Sequence, residues 1–136
     1  MLCDSRGAPL ALAIGGANDH DVTLFVETLL GVPVEMPDPT PETPQHLCLD
    51  AGYDAAWIKQ AILDWEMVPH VRGRGEEKKA LEQDPAKQAR RWIVEVLHSW
   101  LNRFRRILIR WEKKPENYQA MLHLAFGAIL VRLAHR

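Results

Sequence analysis

Residues Arg90 to Lys114 read RRWIVEVLHSWLNRFRRILIRWEKK. The apolar positions Ile93, Leu97, Trp100, Leu101, Phe104 and Leu108 follow one another at steps of 4, 3, 1, 3 and 4. That spacing lays them on one face of an amphipathic helix. The opposite face carries Arg91, Glu95, His98, Asn102 and Arg106. Glu95 is the only acid between Asp84 and Glu112, and cations surround it. Two readings of it stand open. An acid alone on a basic face is a candidate for metal or proton chemistry. An Arg91–Glu95 pair four residues apart would instead add a few tenths of a kcal/mol to the helix.

Working outward, Asp84-Pro85 supplies a cap and a first-turn proline, so the long helix is expected to start there. Pro115-Glu116-Asn117 restarts a helix that runs nearly to the end. Its apolar residues at 118, 121, 122, 125, 126, 129, 130 and 133 make a broad core stripe, and His123 and His135 are read as incidental to it.

Upstream, Leu2–Ser5 and Leu10–Ile14 flank the turn Asp4-Ser5-Arg6-Gly7-Ala8-Pro9 and predict a β-hairpin. Asn18, Asp19 or Asp21 can cap a helix over Val22–Leu30 that Gly31 ends; capping is preferred there to an Asp19–His20–Asp21 metal cluster. Residues 33–44, PVEMPDPTPETP, hold five prolines and form a loop. His46–Leu49 reads as a short buried strand ending at Asp50, with Asp54 as the cap of a helix over Ala55–Trp65. Ligands and catalytic groups gather at the carboxyl ends of strands in open α/β sheets, so Asp50 is either a site residue or a turn former. Met67–Val71 is a further short strand. It leads into Arg72-Gly73-Arg74-Gly75, whose arginines can reach phosphates or simply be solvated. The order of elements is that of a mixed α/β domain with its helices gathered toward the C-terminus.

A chain of 136 residues, 47% hydrophobic and 26% charged, is of ordinary globular composition and long enough for one domain with a core. No stretch is long and apolar enough to span a membrane, and a cytoplasmic protein is expected. Cys3 and Cys48 match no metal spacing and are expected to be buried thiols. The net charge of −1 conceals a division. Residues 1–85 hold six Lys/Arg and fifteen Asp/Glu, net −9, and residues 86–136 hold eleven and three, net +8. A basic half suggests a polyanion such as nucleic acid; the alternative is solvated helix faces that offset the acidic half.

Taken together in this order, certain stretches resemble the DDE transposases of bacterial insertion sequences. They are Gly16-Ala-Asn-Asp-His-Asp21, Asp50-Ala-Gly-Tyr-Asp54, Arg91-Trp-Ile-Val-Glu95, Trp100-Leu-Asn-Arg-Phe-Arg-Arg106 and Arg110-Trp-Glu-Lys113. The resemblance covers essentially the whole chain. It implies an RNase H-like mixed sheet with C-terminal helices, residues 1–136 forming one partial catalytic domain. It also implies two Mg²⁺ (or Mn²⁺) ions held by two Asp and one Glu, with Asp50 the second catalytic Asp and Glu95 the catalytic Glu. Carboxylate oxygens suit such ions, and paired ions can assist both the attacking and the leaving oxygen of a phosphoryl displacement. Arg91 would orient Glu95 or bind a DNA phosphate. Arg103, Arg105, Arg106 and Arg110, with Arg72 and Arg74, would contact the DNA backbone. Trp100 is core or stacks on a base, its place on the apolar stripe favouring core.

The family's first Asp lies on a first, central strand upstream of the hairpin. The chain is therefore expected to lack that strand and that ligand, and Asp4 sits in a turn instead. Val96 follows Glu95 where the family often has Arg, and Gln88 stands where some relatives have Tyr. The expected function is DNA transposition by metal-dependent cleavage and strand transfer, acting on insertion-sequence ends and target DNA. The chain would be a truncated or second-frame portion, inactive alone, with a homo-oligomer or an intact transposase as partner. The alternative is a non-catalytic DNA-binding module or an inhibitor of an intact transposase.

Overall fold

In the computed structural model, residues 1–71 and 92–135 are described, together with the backbone but not the side chain of Asp21. The hairpin is present, with shorter arms than the sequence predicts. Strand β1 (Leu2–Cys3) pairs antiparallel with β2 (Pro9–Ala11), and Leu2 lies opposite Ala11. Asp4 builds the turn. Its Oδ1 accepts the backbone N–H groups of Arg6 and Ala8, each at 2.8 Å, while its own N–H donates to the Ala8 carbonyl at 2.9 Å. Gly7 closes the turn at φ +84°, a conformation that a side chain would strain. Pro9 opens β2, where a missing N–H is tolerated.

The segment after the hairpin departs from the expected helix over Val22–Leu30. A 3₁₀ turn over Asp21–Leu24 precedes α1 (Phe25–Leu30), and no side chain caps either. Asp19 turns backward, its Oδ2 accepting the Gly16 N–H at 2.6 Å, and so it stabilises the glycine turn rather than the helix. Gly31 does follow the helix, at an ordinary φ of −78°.

The region Arg90–Lys114 departs furthest. Helix α3 (Trp92–Leu101) stops about two turns earlier than the apolar spacing predicts, and a separate turn of helix, α4 (Arg105–Leu108), follows. The ladder tightens where Arg103 and Phe104 donate to the carbonyls only three residues back, and Phe104 takes an extended ψ of 102°. This break turns the chain so that Ile107 is buried while Phe104 and Leu108 are exposed. Arg103 and Arg106 would stand one turn apart on a continuous helix, and like charges at that spacing oppose it. The predicted start at Asp84-Pro85 lies outside the described residues.

Helix α5 (Pro115–Ala134) is as expected, with Pro115 in its first turn and Leu122, Ala125, Phe126 and Ile129 buried. These residues pack with Leu12, Leu97, Leu101 and Ile107 into one apolar core, which Cys3, Trp100 and Tyr118 partly cover. Trp100 thus packs against the core and is half-buried. The hairpin, α1 and helices α3 to α5 make up one compact unit, residues 1–33 with 92–135.

A second compact unit holds the remaining described residues, 34–71. Here β3 (His46–Cys48) and β4 (Val68–His70) pair in parallel, with Leu47 opposite Pro69, and α2 (Ala56–Asp64) connects them. A parallel pair needs such a crossover. Leu47, Val71 and the fully buried Ile58 and Ile62 are this unit's apolar centre. Alternation along β3 puts Leu47 inside and His46 and Cys48 outside, so the expectation of two buried thiols fails for Cys48. Val68 N–H donates to the Gln45 carbonyl and the His70 carbonyl accepts from Leu49 N–H. Pro69 therefore has its missing donor on the side away from β3, and β4 is built as an edge strand.

The end of α2 is an uncommon one. Met67 N–H reaches the Ile62 carbonyl and Glu66 N–H the Leu63 carbonyl, a Schellman closure. Its left-handed position is filled by Glu66 at φ +58° rather than by glycine. Asp54 does not cap α2, whose N-cap is Ala55; its carboxylate pairs with Lys59 at 2.5 Å. Taken whole, the described residues form a mixed α/β structure with two separate two-stranded sheets.

Candidate active-site carboxylates and basic surface

Asp50 stands two residues beyond the end of β3. It N-caps a 3₁₀ turn over Ala51–Tyr53: Oδ1 accepts the Ala51 N–H at 2.6 Å, and the Asp50 carbonyl accepts from Tyr53 N–H at 2.9 Å. The carboxylate is exposed at the carboxyl end of a parallel strand, where α/β proteins place ligand-binding groups. The turn-former reading of Asp50 is seen directly in these bonds, and the turn leaves its side chain exposed.

Glu95 lies on α3 between Ile93 and Leu97, which are buried, and is itself exposed. Asp50 and Glu95 belong to different compact units. Both are hard oxygen donors of the type that Mg²⁺ takes. Among the described residues, no three His, Cys, Asp or Glu side chains converge as a metal site. Asp4, the other acid near a strand end, has one carboxylate oxygen committed to two backbone N–H groups.

The arginines divide into two groups. Arg103 is exposed in the turn after α3 and lines a cleft of about 370 Å³ with Trp100, Phe104 and Ile129; Arg132 of α5 stands on the same cleft. Arg105, Arg106 and Arg110 are exposed on and after α4. Arg106 Nη1 lies 4.0 Å from Glu112 Oε1, Arg110 Nε donates to the Glu112 carbonyl at 3.2 Å, and the Arg110 guanidinium sits 5.1 Å above the Tyr118 ring. Glu112 is largely buried, its Oε2 without a hydrogen-bond partner among the described residues. Arg106 thus faces the Glu112 carboxylate and Arg110 is held by the Glu112 backbone carbonyl, within the Arg110-Trp-Glu-Lys113 stretch. Arg72, Arg74 and Arg91 lie outside the described residues.

Two groups titrate away from their ordinary values. Burial, reinforced by the neighbouring Asp4 carboxylate, raises the Cys3 thiol. Partial burial, with a smaller contribution from the N-terminal amine, lowers His98. Sequence reading also passed over a contact between His46 and His70, whose rings meet across β3 and β4. Strand alternation puts both outward, but only the register shows that they touch. Among the described residues no helix is long and apolar enough to cross a membrane.

Comparison with known proteins fits this picture. The family described as "Transposase DDE domain" matches residues 1–130. A protein of Burkholderia cepacia, assigned as the transposase for insertion sequence element IS402, is 30% identical over 126 residues, covering 91% of this chain. The chain spans 57% of that relative's length. No solved structure matches it. The match over nearly the whole chain, with its Asp50 and Glu95 segments included, makes this chain a member of the transposase DDE domain family.

Proposed function

We propose that this chain contributes to DNA transposition, supplying two of the carboxylates with which a DDE transposase cleaves DNA and transfers the cut strand. Family membership carries the reading. The exposed carboxylate of Asp50 at the end of a parallel strand supports it, as does the exposed Glu95 on a helix whose other face is buried. In this reading Asp50 and Glu95 hold divalent cations, Mg²⁺ or Mn²⁺, which supply charge stabilisation to the attacking and leaving oxygens when bound. Arg103, Arg105, Arg106 and Arg110 hold DNA by its phosphates, joined by Arg72, Arg74 and Arg91. The DNA is that of the element ends and the target, and more than one subunit takes part.

The fold belonging to this function is RNase H-like, with residues 1–136 as one part of its catalytic domain. Pro69 makes β4 a terminal strand, so a further strand would add on the other side of β3, the strand that leads to Asp50. The third carboxylate must come from outside the groups described. Asp4 is a poor candidate because its Oδ1 already serves the hairpin turn. Without a third ligand the chain binds DNA but does not cut it, which makes a competitor of an intact transposase the second reading.

The test is excision of a marked element by a transposase that includes this chain. Asp50→Asn and Glu95→Gln should each lower Mg²⁺-dependent cleavage about a thousandfold while leaving DNA affinity nearly unchanged. Full cleavage by either variant would contradict the assignment. Mg²⁺-dependent nicking by this chain alone would contradict the need for a third ligand.

A further inference from the structure

The outward face of β3 and β4 carries a feature that the carboxylate chemistry does not use. His46 and His70 project from adjacent parallel strands, and His46 Nδ1 lies 2.8 Å from His70 Nε2. The ring centroids are 5.0 Å apart and the planes are tilted by 41°. Both side chains are exposed. Register fixes the approach: His46 is opposite Val68 and His70 opposite Cys48, so the two histidines form a diagonal pair on one face. Such diagonal neighbours are within reach of ring side chains.

We propose that His46 and His70 form a chelating site for a borderline transition-metal ion such as Ni²⁺, Zn²⁺ or Cu²⁺. Two imidazole nitrogens bound cis to one ion at about 2.0–2.1 Å stand about 3 Å apart. The observed separation is within a few tenths of an ångström of that, so ring rotation alone can admit the ion. The proton balance is simple. A hydrogen bond between two neutral rings needs one N–H and one lone pair at the contact. On binding, the ring that donates shifts its proton to its outer nitrogen, and both facing nitrogens present lone pairs. If the pair has taken up an extra proton, that proton is released, and affinity falls as pH drops.

The donor type separates this site from the carboxylates. Imidazole nitrogen favours Ni²⁺, Cu²⁺ and Zn²⁺, whereas Mg²⁺ takes oxygen. Among the described residues, the two imidazoles are the donors this site offers. An ion held here ties β3 to β4 through His46, four residues before Asp50, and His70, which lies opposite Cys48 in the register.

The test is calorimetric titration of the whole chain with Ni²⁺ in buffer containing millimolar Mg²⁺, which occupies oxygen sites. His46→Gln and His70→Gln should each weaken binding at least tenfold, and binding should weaken on acidification. Cys48→Ser and His20→Gln should change affinity less than twofold. Both histidine variants lie on an exposed face, and unchanged circular dichroism would show that they fold. Unaltered affinity in His46→Gln or His70→Gln would overturn the proposal, as would a tenfold loss in Cys48→Ser or His20→Gln. None of these outcomes depends on transposase activity, so failure here leaves the carboxylate reading untouched.

Discussion

At the scale of single residues, several side chains act differently from what their type suggests. Asp4 is a turn builder: one oxygen serves two backbone donors. Asp4→Ala should destabilise the chain by about 1–2 kcal/mol, read as a lower urea midpoint with unchanged slope. The two thiols should separate chemically. Cys48 is exposed, while burial and Asp4 keep the Cys3 thiol protonated, and only the thiolate reacts. A thiol reagent at neutral pH should label Cys48 well before Cys3, and mass spectrometry after brief exposure measures the order. His98 is held below its ordinary pKa in the fold, so the unfolded chain takes up its proton first. The stability it contributes is whole above the unfolded pKa of about 6.5. It declines as pH falls from there toward the depressed folded value. The thermal midpoint should drop over that window by less in His98→Asn than in the parent chain, modestly because the ring keeps contact with solvent.

At the scale of elements, the break between α3 and α4 gives the sharpest comparison. Ile107→Ala removes a buried side chain and should cost about 2–4 kcal/mol, whereas Leu108→Ala, at 58% exposure, should cost under about 0.5 kcal/mol. A continuous helix through Leu108 would reverse that order in denaturant melts. Glu66 occupies a left-handed position that costs an L-residue about 1–2 kcal/mol. Glu66→Gly should therefore stabilise α2 by up to about 1 kcal/mol after glycine's own entropic cost.

These elements also show what could be read from the sequence. The hairpin, the two short strands and the final helix were legible because turn residues, β-rich runs and a proline at a first helical turn are local signals. The end of α3 was not, because the periodic spacing carries on past Leu101. The break goes with the burial of Ile107, and like charges at Arg103 and Arg106 weigh against a continuous helix there. The Schellman end of α2 was hidden because no glycine marks it. Caps by Asp19 and Asp54 failed because each carboxylate has a nearer partner, Gly16 N–H and the Lys59 ammonium.

At the scale of the whole molecule, Asp50 and Glu95 were legible as candidates through their surroundings, one at a strand end and one alone among cations. The roles we propose for them rest on ordered resemblance and family membership rather than on spacing. Arg106 and Arg110 were visible as charges, but their support by Glu112 and Tyr118 appears only in the fold. If the basic surface grips DNA through phosphates, log affinity should fall linearly with log salt, by about 0.9 per phosphate contact. Replacing Arg105 by Ala should reduce that slope by about 1 and weaken binding alike for all sequences. A slope that did not change would remove Arg105 from the interface.

The central proposal, resting on family membership, is that Asp50 and Glu95 serve one divalent-metal site. The most direct measurement is Mn²⁺-induced broadening of backbone amide NMR signals in the whole chain. Mn²⁺ at sub-stoichiometric levels should broaden amides around Asp50 and around Glu95 together, excess Mg²⁺ should reverse the effect, and Asp50→Asn should abolish it at both places. Broadening confined to one of the two segments, or persisting at Glu95 in the Asp50→Asn chain, would contradict a shared site.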